Sequence, residues 1–544
     1  MKLQAISAGA LLLLLAVVPA SAGDKPDKKA IRDAYNAAKS AIDDKTQVDP
    51  AVDAVKALDG IIDYDTSLTL LSYFEETDMA WDVQENSPGA PKQAKGRPKE
   101  SYKIATAILN TVRSMAFAEE AAKFEKNIGD RDKYGLRPRM AMLDAIARHA
   151  GTDTECMRIL RELVDDAAKD TDMRILAITH LSDYMRDENV VTLLLKHLKD
   201  RSWRVREVTI DALAQVEGSL QDMVVLALIN QLAGESGKLR KNIGDALGRI
   251  TGADNGTDPD AWSDWFKAKK RQDQGLPEKK GGDKGTRVKV FKTETFSDRY
   301  VFLLDTSISM TQRITDEEKE KLKRSITEGP GDEKDPRKPL DWSKINCKLD
   351  LAREEIIRSL EVMDPERTRF TVITFSEKAT VWKDELVPTD AKTIAELADY
   401  LRAIKGEKRT NVFGALDAAY DLSERLAGAE VDKRKGKKPS KKDGPVVTGP
   451  HKDEALPDTI FIYTDGYATW GKYGGDDKAW QGIAPEERAK LYAKIMVDMV
   501  AEIKDRNRIA RITLNTIGVG NPQDNTTLGA LARACGGQYV PIGK

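Results

Sequence analysis

Apolar residues recur at three- and four-residue steps from Ala30 to about Leu160, the period of amphipathic helices. A proline- and glycine-rich stretch at roughly Gln84–Lys99 interrupts them. The helical pattern then acquires a repeat. Arg139, Arg174, Arg206 and Arg240 stand 32 to 35 residues apart. Five residues after each comes a helix-core step: Asp144-Ala145-Ile146, Thr179-His180-Leu181, Asp211-Ala212-Leu213 and Asp245-Ala246-Leu247. A helix–turn–helix unit of that length cannot bury its apolar face alone, so the period predicts an α-solenoid whose units stack. The array is expected to finish at Asp258-Pro259, with Asp258 as N-cap, Pro259 at the first helical position, and Trp262 and Trp265 burying the last face. Asp254, Asp258 and Asp260 are read as capping residues, because the glycine sits in the wrong place for a calcium-binding EF-hand loop. The repeated arginines are expected to hold adjacent units together.

Lys269–Arg287 carries almost nothing apolar and reads as a linker. Beyond it the pattern changes to short apolar runs separated by amphipathic segments. Tyr300–Leu304, Phe370–Phe375, Thr459–Tyr463 and Ile512–Ile517 read as buried strands. Helices are expected near Leu349–Leu360, Ala391–Ile404, Val412–Leu426, Pro485–Arg506 and Asn525–Ala534. Strands alternating with helices at this spacing predict a doubly wound, Rossmann-like α/β sheet. Such a sheet binds ligands outside the carboxyl ends of its strands, where the strand order reverses.

Length and charge narrow the function. At 544 residues the chain is multidomain, and 87 basic against 89 acidic residues give no basic surplus for nucleic acid. Three cysteines cannot form a disulfide framework, and His149, His180, His197 and His451 lack zinc spacing. The N-terminus has Lys2, an apolar run from Ala8 to Val18 and small residues Ala20-Ser21-Ala22, which reads as a secretory signal peptide cleaved before Gly23. No other stretch is long and apolar enough to span a membrane. A secreted, periplasmic or cell-envelope location is expected.

The candidate chemistry lies at predicted strand ends. Val301-Phe302-Leu303-Leu304 runs into Asp305-Thr306-Ser307-Ile308-Ser309, Phe461-Ile462-Tyr463-Thr464 ends at Asp465-Gly466, and Arg409-Thr410-Asn411 precedes a helix. Carboxylates and hydroxyls without His or Cys suit magnesium or manganese. Serine nucleophiles are disfavoured, because no His or Lys base is spaced to activate them.

This ordered set resembles the metal-ion-dependent adhesion site of von Willebrand factor type A domains, over about Asp298 to Val540. Asn515-Thr516-Ile517-Gly518-Val519-Gly520 and Gly536-Gly537-Gln538-Tyr539-Val540 stand where that family has a late strand and its end. The resemblance implies Mg2+ or Mn2+ ligated by Ser307, Ser309 and Thr410, with Asp305 and Asp465 acting mainly through water. One coordination position then remains for an acidic side chain of a protein partner. The helical units, with Leu198-Lys199-Asp200, Trp203-Arg204-Val205-Arg206 and Asp211-Ala212-Leu213, resemble HEAT repeats. The expected plan is a signal peptide at 1–22, a helical region at 23–135, a HEAT-like solenoid at 136–268, a linker at 269–297 and an A domain at 298–544.

The reading is an exported, non-enzymatic adhesion or scaffold protein that binds a protein ligand through the metal, with further contacts on the repeats. The alternative is a structural scaffold in which the repeats bind the partner and the metal only stabilises the fold. Insertions at Thr311–Ser343 and after Asp465, the second with Tyr467, Trp470, Tyr473, Asp476, Asp477 and Trp480, would crowd the metal face. Their aromatics serve either as contacts or as loop packing. Lys433–Lys442 has seven basic residues in ten and reads as a solvated stretch. A Cys347–Cys535 bridge is left open by the sequence, as is the state of Cys156.

Overall fold

The computed structural model describes residues 27–78, 99–166, 170–272, 288–290, 293–327, 337–435, 456–474, 482–520 and 524–543. The signal peptide, residues 84–98, the linker centre at 273–287, residues 436–442, Asp476, Asp477 and Trp480 lie outside them. Two compact units divide the chain, one ending at Cys156 and the other beginning at Met157.

The first unit is helical: α1 (Lys28–Asp43), α2 (Val48–Lys56), α3 (Tyr64–Leu71), α4 (Phe74–Asp78), α5 (Tyr102–Arg113), α6 (Ala118–Ala122) and α7 (Leu136–Ala147). Apolar positions of α5, among them Ile104, Ile108, Leu109 and Val112, are buried, and α2, α4 and α7 pack on this helix. The helices follow the expected period because the chain has no other way to remove that stripe from water.

The second unit opens with α8 (Thr154–Asp165), which begins in the first, and continues through three helix pairs. These are α9 (Thr171–Leu181) with α10 (Glu188–His197), α11 (Trp203–Leu213) with α12 (Gln221–Leu232), and α13 (Gly237–Thr251) with α14 (Pro259–Gln272). Asp170, Asp187 and Ser202 cap α9, α10 and α11 by accepting backbone N–H bonds. α9, α11 and α13 pack in succession, and α12 packs on α13 and α14.

The periodic arginines act as ties. Arg174 reaches Asp200 at 2.5 Å, in the turn before α11. Arg206 donates to the Asp200 carbonyl at 2.8 Å and pairs with Glu235 before α13. Arg240 donates to the Thr257 carbonyl before α14. Arg139, in the first unit, instead binds the Tyr134 and Ile128 carbonyls. Asp258 accepts from the amides of Asp260 and Ala261, and Trp262 is fully buried against Trp265, as the capping reading expects.

The rest of this unit is a mostly parallel sheet with helices. Its strands are β3 (Arg299–Asp305), β4 (Arg369–Phe375), β5 (Ala379–Val381), β6 (Val387–Pro388), β7 (Thr459–Thr464), β8 (Thr513–Val519) and β9 (Tyr539–Ile542). A separate hairpin, β1 (Val288–Val290) with β2 (Thr293–Thr295), precedes them and buries Val290, so the tail of the linker carries structure. The order is β5-β4-β3-β7-β8-β9, with β5 and β6 antiparallel to β4 and all other pairs parallel.

Helices α15 (Asp316–Thr327), α16 (Lys348–Leu360), α17 (Ala391–Ala403), α18 (Val412–Lys435), α19 (Pro485–Ala510) and α20 (Asn525–Ala534) connect these strands. Tyr300, Phe302, Leu304, Phe461 and Tyr463 share one core with Leu349, Ile356 and Leu360 of α16 and Leu397 of α17. The alternate residues Val301, Leu303, Ile460 and Ile462 are equally buried, and α18 packs on β3 and β4 while α20 packs on β8. Burial on both faces explains why these strands read as continuous apolar runs.

Within this unit the helix pairs meet the sheet's amino-terminal end. Arg511, just past α19 and held at φ 58°, pairs with Asp211 and lies 3.7 Å from Glu207. Lys238 donates to the Arg511 carbonyl at 2.7 Å, Arg204 reaches the Ile509 carbonyl, and Arg299 at the start of β3 stacks over Trp203.

Candidate metal centre

β3 leads through α16 to β4 on one side, whereas β7 leads through α19 to β8 on the other. The strand order therefore reverses between the carboxyl ends of β3 and β7, which is where a sheet of this kind opens a crevice. Asp305 ends β3, and Asp465 directly follows β7.

Asp305 is fully buried and its carboxylate is fixed from both sides. The Ser307 amide donates to Oδ1 at 2.8 Å, and the Thr464 hydroxyl donates to Oδ2 at 2.6 Å. Ser307 Oγ and Ser309 Oγ are 3.0 Å apart, so two hydroxyls converge beside the carboxylate. Thr306 anchors this turn, its amide and hydroxyl both donating to the Phe375 carbonyl at the end of β4. Ile308, between the two serines, is 54% exposed.

Thr410 is buried, and its loop is tied to both strand ends. The Glu407 amide donates to the Thr306 carbonyl at 3.0 Å. The amides of Thr469 and Trp470 donate to the Thr410 carbonyl, and the Thr410 amide donates to the Thr469 hydroxyl at 2.9 Å. Asp465 is buried as well. Its carbonyl accepts from the Asp524 amide, and its Oδ2 lies 3.6 Å from Lys348 Nζ. Gly466 has φ 92°, and a Cβ there would come within 2.9 Å of Leu528, so the turn after Asp465 requires glycine.

Burial first, and then the charge of Asp465, push the Asp305 carboxyl up to about 7, against the opposing hydrogen bonds from Thr464 and Ser307. A buried carboxyl beside a second carboxylate is relieved by a proton or by a neighbouring cation, and the Lys348 ammonium already stands 3.6 Å from Asp465. The side chains of Asp305, Ser307, Ser309, Thr410 and Asp465 offer only oxygen as a ligand atom, which fits a hard divalent ion. Among the described residues no group of three His, Cys, Asp or Glu side chains gathers, so such an ion would depend on the hydroxyls.

The structure thus brings Asp305, Ser307, Ser309, Thr410 and Asp465 to one end of the sheet. Lys348, Thr464, Thr469 and Asp524 belong to the same place and carry no motif. Thr464 alone had a signal, as the last residue of an apolar strand entering Asp465. Of the aromatics after Asp465, Tyr473 is buried with its hydroxyl on Glu502, whereas Tyr467 is 43% exposed. The three cysteines are free, so no Cys347–Cys535 bridge forms; Cys535 instead lies beside the Tyr420 hydroxyl.

No protein-family model matches the chain. A stretch of 89 residues is 32% identical to inter-alpha-trypsin inhibitor heavy chain H4 of Bos taurus, which is 16% of this chain and 10% of that protein. The chain therefore spans about a tenth of the length of this curated relative. Among solved structures, an aerotolerance-related membrane protein of Bacteroides fragilis is similar at 13% identity and TM-score 0.24, covering 45% of this chain and 92% of its own. A von Willebrand factor type A protein of Catenulispora acidiphila is similar at 16% identity and TM-score 0.26, covering 46% of this chain and 40% of its own. At such scores the strand order and the side chains at its reversal remain the basis for any reading of function. No helix of the described residues is long and apolar enough to cross a membrane.

Proposed function

We propose that the α/β fold is a doubly wound, von Willebrand factor A-like adhesion module that takes Mg2+ or Mn2+ and binds an acidic side chain of a protein partner. The observation that carries this reading is the convergence of Asp305, Ser307 and Ser309 with Asp465 at the point where the strand order reverses. Ser307, Ser309 and Thr410 would hold the ion directly, and Asp305 and Asp465 would act through water. The bound ion supplies an electrophilic positive centre for a carboxylate. The chain's own part is to keep the hydroxyls paired, to bury the carboxylates away from competing solvent and to present Ile308 and Tyr467 at the rim.

The helix pairs serve in this proposal as a HEAT-like scaffold, seated on the opposite end of the sheet and offering a second contact surface. The protein is exported and acts by binding, not by turnover. The test is titration calorimetry of the full chain with magnesium, together with capture of partners from the source envelope with and without chelator. Wild type is expected to take up one divalent ion, and Asp305→Ala, Ser307→Ala and Thr410→Ala to weaken uptake and capture in parallel, Asp305→Ala most. Wild type without uptake would refute the metal site. Uptake with chelator-insensitive capture would favour the scaffold reading, in which the repeats bind the partner.

A further inference from the structure

Lys348 is the first residue of α16, a position where the positive end of the helix disfavours a cation. It is nonetheless 8% exposed. Its side chain runs past Gly520, where a Cβ would come within 2.4 Å of Lys348 Cε, and ends 3.6 Å from Asp465 Oδ2. Gly520, at φ 80°, thus leaves the channel through which the ammonium reaches the candidate metal site. Helix stability does not explain a lysine here, and a buried ammonium needs an anion to justify its desolvation. The anion provided is one of the two carboxylates assigned to the metal.

We propose that Lys348 is a tethered counter-cation of this site: it holds Asp465 when no metal is bound, weakens metal uptake, and leaves the loaded site with a surplus positive charge that selects an anionic partner. The inference rests on the metal reading above. Charge counting gives its logic. Two carboxylates balance a divalent ion, and a balanced cluster has little long-range pull on an acidic side chain. The Lys348 ammonium, held within the same buried cluster, is the charge left over. Before loading, the same ammonium offsets the repulsion between Asp305 and Asp465, so the empty site keeps its shape. Glu318 of α15 accepts from the Thr315 amide and hydroxyl, which hold its carboxyl below the usual range, and the Lys348 charge adds to that shift.

The experiment is magnesium titration calorimetry on the full chain for wild type, Lys348→Met and Lys348→Arg, paired with thermal melting of each with and without magnesium. Lys348→Met is expected to take up magnesium about tenfold more tightly or better, as befits removal of a like charge a few ångströms from the ion. Its metal-free form should melt below wild type, and magnesium should raise its melting temperature by more than it raises that of wild type. Lys348→Arg, which keeps the charge, should stay near wild type in affinity. Should Lys348→Met not fold without metal, Lys348→Gln carries the same comparison. Equal affinities in wild type and the neutral variant would overturn the role of Lys348 while leaving the metal site standing. No uptake in any variant would overturn both.

Discussion

Arg174→Ala offers a direct measure of what the periodic arginines contribute. Arg174 and Asp200 have side chains 0% and 6% exposed, and a single guanidinium nitrogen, Nη2, reaches both Asp200 at 2.5 Å and His197 Nδ1 at 3.3 Å. Asp200 is a junction: its Oδ1 accepts from the Ser202 amide at the start of α11, and its carbonyl accepts from Arg206. Burial opposes its ionisation, yet the bonds from His197 and Arg174 more than offset burial and hold the carboxyl well below the usual range. Removing the guanidinium leaves a buried carboxylate without its charged partner, a change that costs about 3–5 kcal/mol.

The pH dependence follows from the sign of that shift. A depressed folded-state pKa contributes stability above the unfolded pKa, lost as pH falls through the folded one. In Arg174→Ala burial acts with less opposition, so Asp200 takes up its proton earlier and the penalty shrinks as pH drops from 7 towards 4. Urea unfolding of both proteins at pH 7 and pH 4 is the assay. The double variant Arg174→Met with Asp200→Asn should recover part of the loss, because no charge is then stranded. A variant within about 0.5 kcal/mol of wild type at pH 7, the range of an ordinary surface substitution, would refute the role of Arg174 as a tie between helix pairs.

Leu213→Asp and Leu247→Asp each place a charge at a fully buried position of α11 or α13, and both should lower stability by several kcal/mol in calorimetry; unchanged melting would remove these residues from the core. Gly466→Ala forces a side chain into a positive-φ turn and against Leu528, so a loss of about 1–3 kcal/mol is expected, along with weaker magnesium uptake; wild-type stability would show that the turn relaxes freely.

Much of this molecule was legible in local patterns. The three- and four-residue period located the helices of both units, and Arg174, Arg206 and Arg240 fell on the first helices of the three pairs, whereas Arg139 fell in the first unit. The four central strands appeared as apolar runs bounded by breakers, with ends within about two residues of those observed, whereas the short antiparallel strands β5 and β6 were not read. That Asp305, Ser307, Ser309 and Asp465 would share one end of the sheet was legible because polar residues at a strand exit stand out against the apolar run, and Thr410 was marked by its place before a helix.

Other features had no local trace. Lys348 follows a cysteine at the start of an ordinary helix, and nothing in its neighbours tells that Gly520, far along the chain, opens a path to Asp465. Arg511, Lys238 and Arg204 look like solvated surface charges until α11 and α13 meet the end of α19. The hairpin β1–β2 looks like linker because its strands are only three residues each. Periodicity records which side of an element must leave water, a property each segment carries alone. Which elements meet, and which buried charges then find one another, depends on contacts between residues hundreds of positions apart, and only the folded chain sums them.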